Sequence, residues 1–185
     1  MYTIKTYYAE LSITEYLEKY VDVETFLECC KTCPNYNKIW SCPTYDFDVL
    51  DYWKQYQTIA LYGHQIVFDE SAKNKQYTQE DLDNLIDSVV SKEKQILTDH
   101  LLLLEKEYPG SISLSAGSCQ LCGPNNCTKT EGLPCRHPEK LRYSIESLGG
   151  NVGKTISNSF HIELEWVEEG KLPNHFVLVC GLLKK

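Results

Sequence analysis

The segment TIALYGHQIVF, residues 58–68, has the composition of a buried β-strand. Most of its residues are β-branched, aromatic or aliphatic, and it contains no Asp, Glu, Lys or Arg. Such side chains fit a pleated surface that is packed against other elements. The pattern therefore predicts a strand in the interior of the fold.

The elements on the N-terminal side of this strand are predicted from the spacing of apolar residues. A short strand over residues 2–8 leads into two brief helices, 13–20 and 23–30, whose apolar positions recur at three- and four-residue steps. A third helix is expected over residues 47–53. The helix over 23–30 ends at a pair of cysteines, which places it directly before a cysteine-rich segment.

A long helix is predicted on the C-terminal side. Polar residues at 69–77 suggest a surface loop, and Thr78 with Asp81 resembles a capping box that begins the helix. Its buried side is marked by apolar residues at helical spacing: Leu82, Leu85, Ile86, Val89, Ile96, Leu97 and Leu101. Pro109 and Gly110 are expected to stop it.

The last third of the chain completes an α+β pattern. The elements expected there are a strand at 111–116, a helix from about 139 to 148, a helix capped by Asn151 after Gly149 and Gly150, and strands at 162–166 and 176–183. Strands and helices thus follow one another without a regular alternation. This order predicts one α+β domain over residues 1–185, with a mixed β-sheet packed against helices and with cysteine-rich metal-binding loops.

Charge and hydropathy exclude two classes of function. The 185-residue chain has a formal net charge of −8, and binding to the phosphates of nucleic acid requires clustered Lys and Arg. Its N-terminus lacks the basic and apolar regions of a signal peptide, and no apolar run approaches the ~18 residues that a membrane span requires. We therefore expect a cytoplasmic protein that has neither nucleic acid nor membrane as a partner.

Nine cysteines are many for a cytoplasmic chain of this length. Reducing conditions disfavour structural disulfides, so metal binding becomes the better explanation. The cysteines form two groups, at 29–42 and 119–135, and Cys180 stands apart within an apolar segment. Cys180 is expected to be a small apolar residue on a buried strand.

The second cysteine group has the pattern C-x2-C-x4-C-x7-C, formed by Cys119, Cys122, Cys127 and Cys135. Glycines and prolines lie between these cysteines, which is typical of a loop folded around a small object. A [4Fe–4S] cluster needs four thiolates, one for each iron. A tetrahedral zinc site also takes four cysteines but commonly joins two C-x2-C pairs, so the spacing favours the cluster, with zinc as the alternative.

The first cysteine group offers three well-placed thiols, Cys30, Cys33 and Cys42, with a proline directly after the second and third. The adjacent Cys29 is expected to point away. This group predicts a second metal site, with an open position or a fourth ligand from Cys29, Asp46, His64 or a distant residue, so the chain is expected to hold one [4Fe–4S] cluster or two. Two alternatives remain. The two groups share one metal centre, or the thiols of the first group are structural.

Three cations follow the last cysteine of the second group, namely Arg136, Lys140 and Arg142. A thiolate-ligated cluster is anionic, so cations beside it would favour its reduced form. Alternatively, these residues are solvated side chains on a helix face. His137, two positions beyond Cys135, is the histidine closest in sequence to the second group.

Four segments together resemble the DUF2284 family of predicted metal-binding proteins. They are CCKTCPNYNKIWSCPTYDFD (29–48), SLSAGSCQLC (113–122), LPCRHPEKLRYSIESLGGNVGKT (133–155) and LPNHFVLVCGLL (172–183). The resemblance implies a cysteine-ligated metal, iron–sulfur in character, in organisms that are mainly anaerobic. It supports as ligands the three thiols of the first group and the four of the second, and it leaves out Cys29 and Cys180.

Three hypotheses of function follow from this pattern. The first is an iron–sulfur redox protein that holds at least one [4Fe–4S] cluster and exchanges single electrons with a partner protein. The second is an iron–sulfur enzyme in which the first group leaves a metal position open for substrate. The third is a zinc-stabilised binding module, in which the metal only supports the fold.

Overall fold

The computed structural model describes residues 1–168 and 170–185, and an antiparallel sheet organises them. Its strands are β1 (Tyr2–Ser12), β2 (Thr58–Phe68), β3 (Ile112–Leu114) and β4 (His175–Lys184), in the spatial order β1-β2-β4-β3. β2 pairs along its whole length with β1 on one side and over most of its length with β4 on the other. The predicted interior strand at 58–68 is thus confirmed, with the same bounds.

The described residues form six α-helices around the sheet. They are α1 (Ile13–Tyr20), α2 (Val23–Lys31), α3 (Val49–Trp53), α4 (Glu70–Lys73), α5 (Gln79–Glu107) and α6 (Val152–Phe160). Each begins at a polar residue whose side chain accepts a hydrogen bond from a backbone amide of the first turn. The predicted caps at Thr78 and Asn151 both do so, at 3.1 and 2.8 Å. The α+β class is confirmed, and all three strand pairings are antiparallel.

Apolar side chains cover both faces of the sheet. On one face, Leu97 and Leu101 of α5 pack against Ala60 of β2 and Leu182 of β4. On the other, Ile59 and Leu61 of β2 join a larger cluster with side chains of α1, α3 and α6. Alternate residues of β2 thus serve two separate apolar layers, which explains why its sequence is apolar almost throughout.

Three local predictions differ from the structure. The loop at 69–77 contains the short helix α4, because the Asp69 carboxylate accepts a hydrogen bond from the Ala72 amide and starts a helical turn. The helix predicted at 139–148 is absent except for a 3-10 turn at Glu146–Leu148. There the carbonyl of Tyr143 accepts from the Ser115 amide at 2.7 Å, and Ser144 and Ser147 bond to each other's backbone.

The strand predicted at 162–166 is also wrong, since no ladder forms there. Instead the Glu165 carboxylate accepts from the backbone amide of Asn174 at 2.6 Å, and the Glu163 carbonyl lies 3.0 Å from Nε2 of His175. These contacts hold the segment beside the start of β4 through side chains. No helix in the described ranges has both the length and the apolar character that crossing a membrane requires.

Candidate metal centre

The four thiols of the second cysteine group line one cavity of about 700 Å³. The loop that carries them follows β3, and Asp87 and Ser91 of α5 form part of the opposite wall. A further wall comes from residues of the first cysteine group's segment, including Asn35 and Trp40. The cavity therefore lies where the long helix and both cysteine-bearing segments meet.

Tight turns fold this loop around the cavity. Gly123, Asn125 and Gly132 have positive φ values of 74°, 58° and 68°, a left-handed conformation that allows sharp reversals. The Thr128 hydroxyl closes one reversal by donating to the Pro134 carbonyl at 2.8 Å. These reversals bring Cys135 back to the cavity that Cys119 also lines.

The thiols of the second group influence one another. Burial raises the pKa of Cys119, and the nearby thiols of Cys135 and Cys122 raise it further, against a hydrogen bond from the Leu121 amide. The backbone amide of His137 donates to Sγ of Cys135 at 3.4 Å. Amide donors to sulfur are a general means of stabilising thiolate-ligated clusters. The backbone of His137 thus lies beside this predicted ligand, and His137 also lines the cavity.

The first cysteine group lies at the C-terminal end of α2. Cys30 is on the last turn of this helix, Cys33 follows the end of it, and Cys42 is the most buried of the three. Burial raises the pKa of Cys42 to about 11, and the thiols of Cys33 and Cys30 are near enough to raise it as well. Metal binding here would therefore displace protons. The neighbouring Cys29 is exposed, as is Cys33.

The other suggested fourth ligands are engaged or placed elsewhere. His64 lies on β2, where its Nδ1 is 3.3 Å from a carboxylate oxygen of Glu93 on α5. Asp46 is exposed. Cys180 is fully buried on β4 in the apolar cluster with Leu97 and Leu101, in agreement with its expected role in packing.

Side-chain hydrogen bonds join the two cysteine groups. Nδ2 of Asn35 donates to the Ser118 hydroxyl at 3.2 Å, and the Cys119 amide donates to the Ser41 hydroxyl at 3.0 Å. Nε1 of Trp40 donates to the Leu133 carbonyl at 3.2 Å. Finally, Nζ of Lys129 donates to the Cys42 carbonyl at 2.8 Å. The two groups are far apart in sequence and adjacent in the structure.

Of the three cations that the sequence suggested, Arg136 has its charged group bound beside a predicted ligand, at the carbonyl directly before Cys127. Arg142 forms a two-point ion pair with Glu105 of α5, and both side chains are only 13% exposed, so its charge is compensated. Lys140 is exposed, and Arg136 donates to the Asn126 carbonyl at 2.7 Å.

The structure also places Lys94 and Lys129 next to the cysteines. Nζ of Lys94, on α5, donates to the carbonyl of Ser118, directly before Cys119. Nζ of Lys129 lies among backbone carbonyls of the first group. Sequence analysis missed both residues. Lys94 is separated in sequence from the second group by the end of α5 and by β3. The contact of Lys129 with the first group depends on the tertiary fold.

The donor set suits a thiolate-bound metal, although the sulfurs are not in a closed arrangement for one ion. Within residues 1–168 and 170–185, no three His, Cys, Asp or Glu side chains are positioned to hold a single metal ion. Four thiols on one cavity, with an amide donor to sulfur and irregular backbone around them, nevertheless match the surroundings that a cluster requires. The seven predicted ligands stay predictions.

Comparison with known proteins gives one match. A family model described as "Predicted metal-binding protein (DUF2284)" matches residues 17–183. This range includes both cysteine groups and Cys180. No curated protein and no solved structure matches the chain.

Proposed function

Because the chain belongs to the DUF2284 family of predicted metal-binding proteins, we propose that it is an iron–sulfur redox protein that exchanges single electrons with a partner protein in the cytoplasm. The observation that carries this proposal is the position of Cys119, Cys122, Cys127 and Cys135 on one cavity, beside a second set of thiols. A [4Fe–4S] cluster bound by these four cysteines would supply one-electron oxidation and reduction.

The residues around the cavity have specific roles in this proposal. The His137 amide stabilises negative charge on the sulfur of Cys135. Asp87 and Ser91 of α5 bound one side of the cavity, and Trp40 bounds another. Solvent exposure and hydrogen bonds to sulfur both affect the potential of a cluster.

In this proposal the first group holds the second centre. Cys30, Cys33 and Cys42 lie close to one another, and the bond from the Cys119 amide to Ser41 places Cys42 beside the second group. Two centres this near one another would exchange electrons readily. The less buried Cys33 lies on the outer side of the first group, where a partner could approach.

The first test is the content of iron, zinc and acid-labile sulfide in protein purified without oxygen. Roughly four irons and four sulfides per chain are expected for one cubane, and about eight of each for two. EPR spectra before and after dithionite should show a signal that appears on reduction. Stoichiometric zinc without sulfide would refute the proposal and favour a zinc-stabilised binding module.

Single cysteine variants assign the sites. Cys122→Ser should remove the centre of the second group, and Cys33→Ser that of the first. Cys29→Ser is the matched control for the second group, because Cys29 is an exposed cysteine outside its four predicted ligands. Iron and sulfide unchanged in Cys122→Ser would contradict the assignment of the second group.

A second candidate function is an enzyme that binds substrate at the first group. The first group has three predicted thiol ligands, and of the suggested fourth ligands His64 lies beside Glu93 while Asp46 and Cys29 are exposed. If this centre keeps its metal in both Cys29→Ser and Cys180→Ala, its fourth position is not a thiolate from either residue. Loss of metal from that centre in either variant would identify the fourth thiolate and count against the enzyme.

A further inference from the structure

Lys129 connects the two cysteine groups through its charged end. The residue lies two positions after Cys127, at the start of a 3-10 turn in the second group's loop. Its Nζ nevertheless donates to the carbonyls of Cys42 and Thr44 in the first group, at 2.8 and 3.1 Å. It also lies 5.5 Å from the centre of the Trp40 ring, a cation–π contact.

Among the described residues, the charged end of Lys129 contacts neutral acceptors and no carboxylate. It lies at the carbonyl of Cys42, a predicted ligand of the first group, and its own backbone is two positions from Cys127, a predicted ligand of the second. Arg142 differs, because Glu105 compensates its charge. Lys129 is partly buried, so water screens its charge less than that of an exposed lysine such as Lys140.

We propose that Lys129 is a positioning residue that acts as a shared counter-charge for the two metal centres and raises the reduction potential of both. This inference rests on the proposed function, since it requires a redox-active centre at each group. Thiolate-ligated clusters become more negative when they gain an electron, and a fixed cation next to a ligand of each one stabilises the reduced forms. Its hydrogen bonds to Cys42 and Thr44 keep the ammonium group between the two sites.

The test is a redox titration of each centre, followed by EPR, in Lys129→Met, Lys129→Arg and Lys140→Met. Lys129→Met should shift the redox equilibrium of both centres at least tenfold toward the oxidised form, which is about 59 mV in a one-electron midpoint potential. Lys129→Arg keeps the charge, so the midpoint potentials of both centres should lie close to those of the wild type. Lys140→Met removes an exposed charge from the same segment and should leave both midpoints unchanged.

The outcomes separate this inference from the proposed function. Wild-type midpoints in a Lys129→Met protein with normal iron and sulfide would overturn the role of Lys129 and leave the redox function intact. A shift at one centre alone would overturn the shared role. Wild-type protein without iron and sulfide would overturn both proposals.

Lys129→Gln covers the case in which Lys129→Met loses its clusters. The glutamine amide can still donate to a carbonyl, but the substitution removes the positive charge. The midpoint potentials of both centres should therefore fall as predicted for Lys129→Met. Unshifted midpoints in this variant would overturn the proposal.

Discussion

The sheet region and the cysteine region of this protein are stabilised in different ways. The sheet region comprises β1 to β4 with α1, α3, α5 and α6, and it buries large side chains completely, among them Tyr16, Trp53, Leu61 and Leu97. The cysteine region comprises residues 29–46 and 117–142. Its buried residues are Ser41, Cys42, Pro43 and Thr128, and it exposes Leu121 and Leu133. The cysteine region thus has no apolar core of its own.

In the cysteine region, hydrogen bonds between side chains and backbone hold the two segments together. Those of Ser41, Trp40 and Lys129 join its two segments. Single hydrogen bonds contribute about 1 kcal/mol each, whereas a fully buried aromatic side chain contributes several times more. From this difference we expect the sheet region to be stabilised mainly by burial, and the cysteine region to be stabilised by the metal that we propose it binds.

Removal of the metal should have the largest effect and should be confined to the cysteine region. Binding of a structural metal by thiolates is worth on the order of 10 kcal/mol at neutral pH. Hydrogen exchange measured on metal-free protein should show lost protection at residues 29–46 and 117–142, with β2 and β4 still protected. The untreated protein is the control. Equal loss of protection in both regions would refute the division.

Trp53→Ala should give the largest effect of any single substitution in the sheet region. The side chain is fully buried, its ring lies 5.5 Å from that of Tyr16, and its Nε1 donates to the Leu148 carbonyl at 2.9 Å. Its loss should lower the free energy of unfolding by about 3–5 kcal/mol, measured by urea denaturation.

Trp166→Ala is the matched control for Trp53→Ala. Trp166 is 79% exposed, and its replacement should change the free energy of unfolding by less than about 0.5 kcal/mol. Similar losses in the two tryptophan variants would argue against a core centred on Trp53. Metal content per folded chain should be unchanged in both.

Glu105→Gln should weaken the connection between the two regions. Burial raises the pKa of Glu105, but hydrogen bonds from Arg142 and Ser113 outweigh it, so the pKa lies below its ordinary value. The substitution leaves Arg142 without its counter-charge and should lower the free energy of unfolding by about 3 kcal/mol at neutral pH.

The effect of Glu105→Gln should depend on pH with a definite sign. Because the folded pKa is depressed, the carboxylate contributes its full stability above the unfolded pKa of about 4.3 and loses it as the pH falls through the folded value. The difference between wild type and variant should therefore shrink in acid. Glu107→Gln, at an exposed position of the same helix, should show no such difference. A difference that grows on acidification would contradict the ion pair.

Ser41→Ala should have the smallest effect of the four changes. Ser41 is 1% exposed, and its hydroxyl accepts from the Cys119 amide, which the substitution leaves without that partner. The expected cost is about 1–2 kcal/mol, with faster hydrogen exchange at the Cys119 amide. Ser91→Ala, on the exposed wall of the same cavity, is the control and should be near neutral. Unchanged exchange at Cys119 would refute the link between the two segments.

Local sequence patterns predicted the elements whose residues carry their own signals. The apolar run of β2 and the helical spacing and cap of α5 predicted these two elements, because burial and capping act over a few residues. One residue of α5 was assigned wrongly: Ile96, predicted on the buried side of the helix, is 46% exposed. The segments at 139–148 and 162–166 were assigned wrongly. Their backbone and side chains bond to distant residues, namely Ser115 and Asn174, and no local pattern contains that information.

The sequence by itself determined that the protein carries two cysteine groups of metal-ligand spacing, and which thiols are the candidate ligands. Spacing along the chain limits which sulfurs can reach one site, so this information is local. Only the tertiary structure decided that the two groups adjoin, that Glu105 compensates Arg142, and that Lys129 lies between Cys42 and Cys127. The physical reason is that a charge acts through space, and the neighbours of each thiol are brought there by the packing of α5 and the sheet.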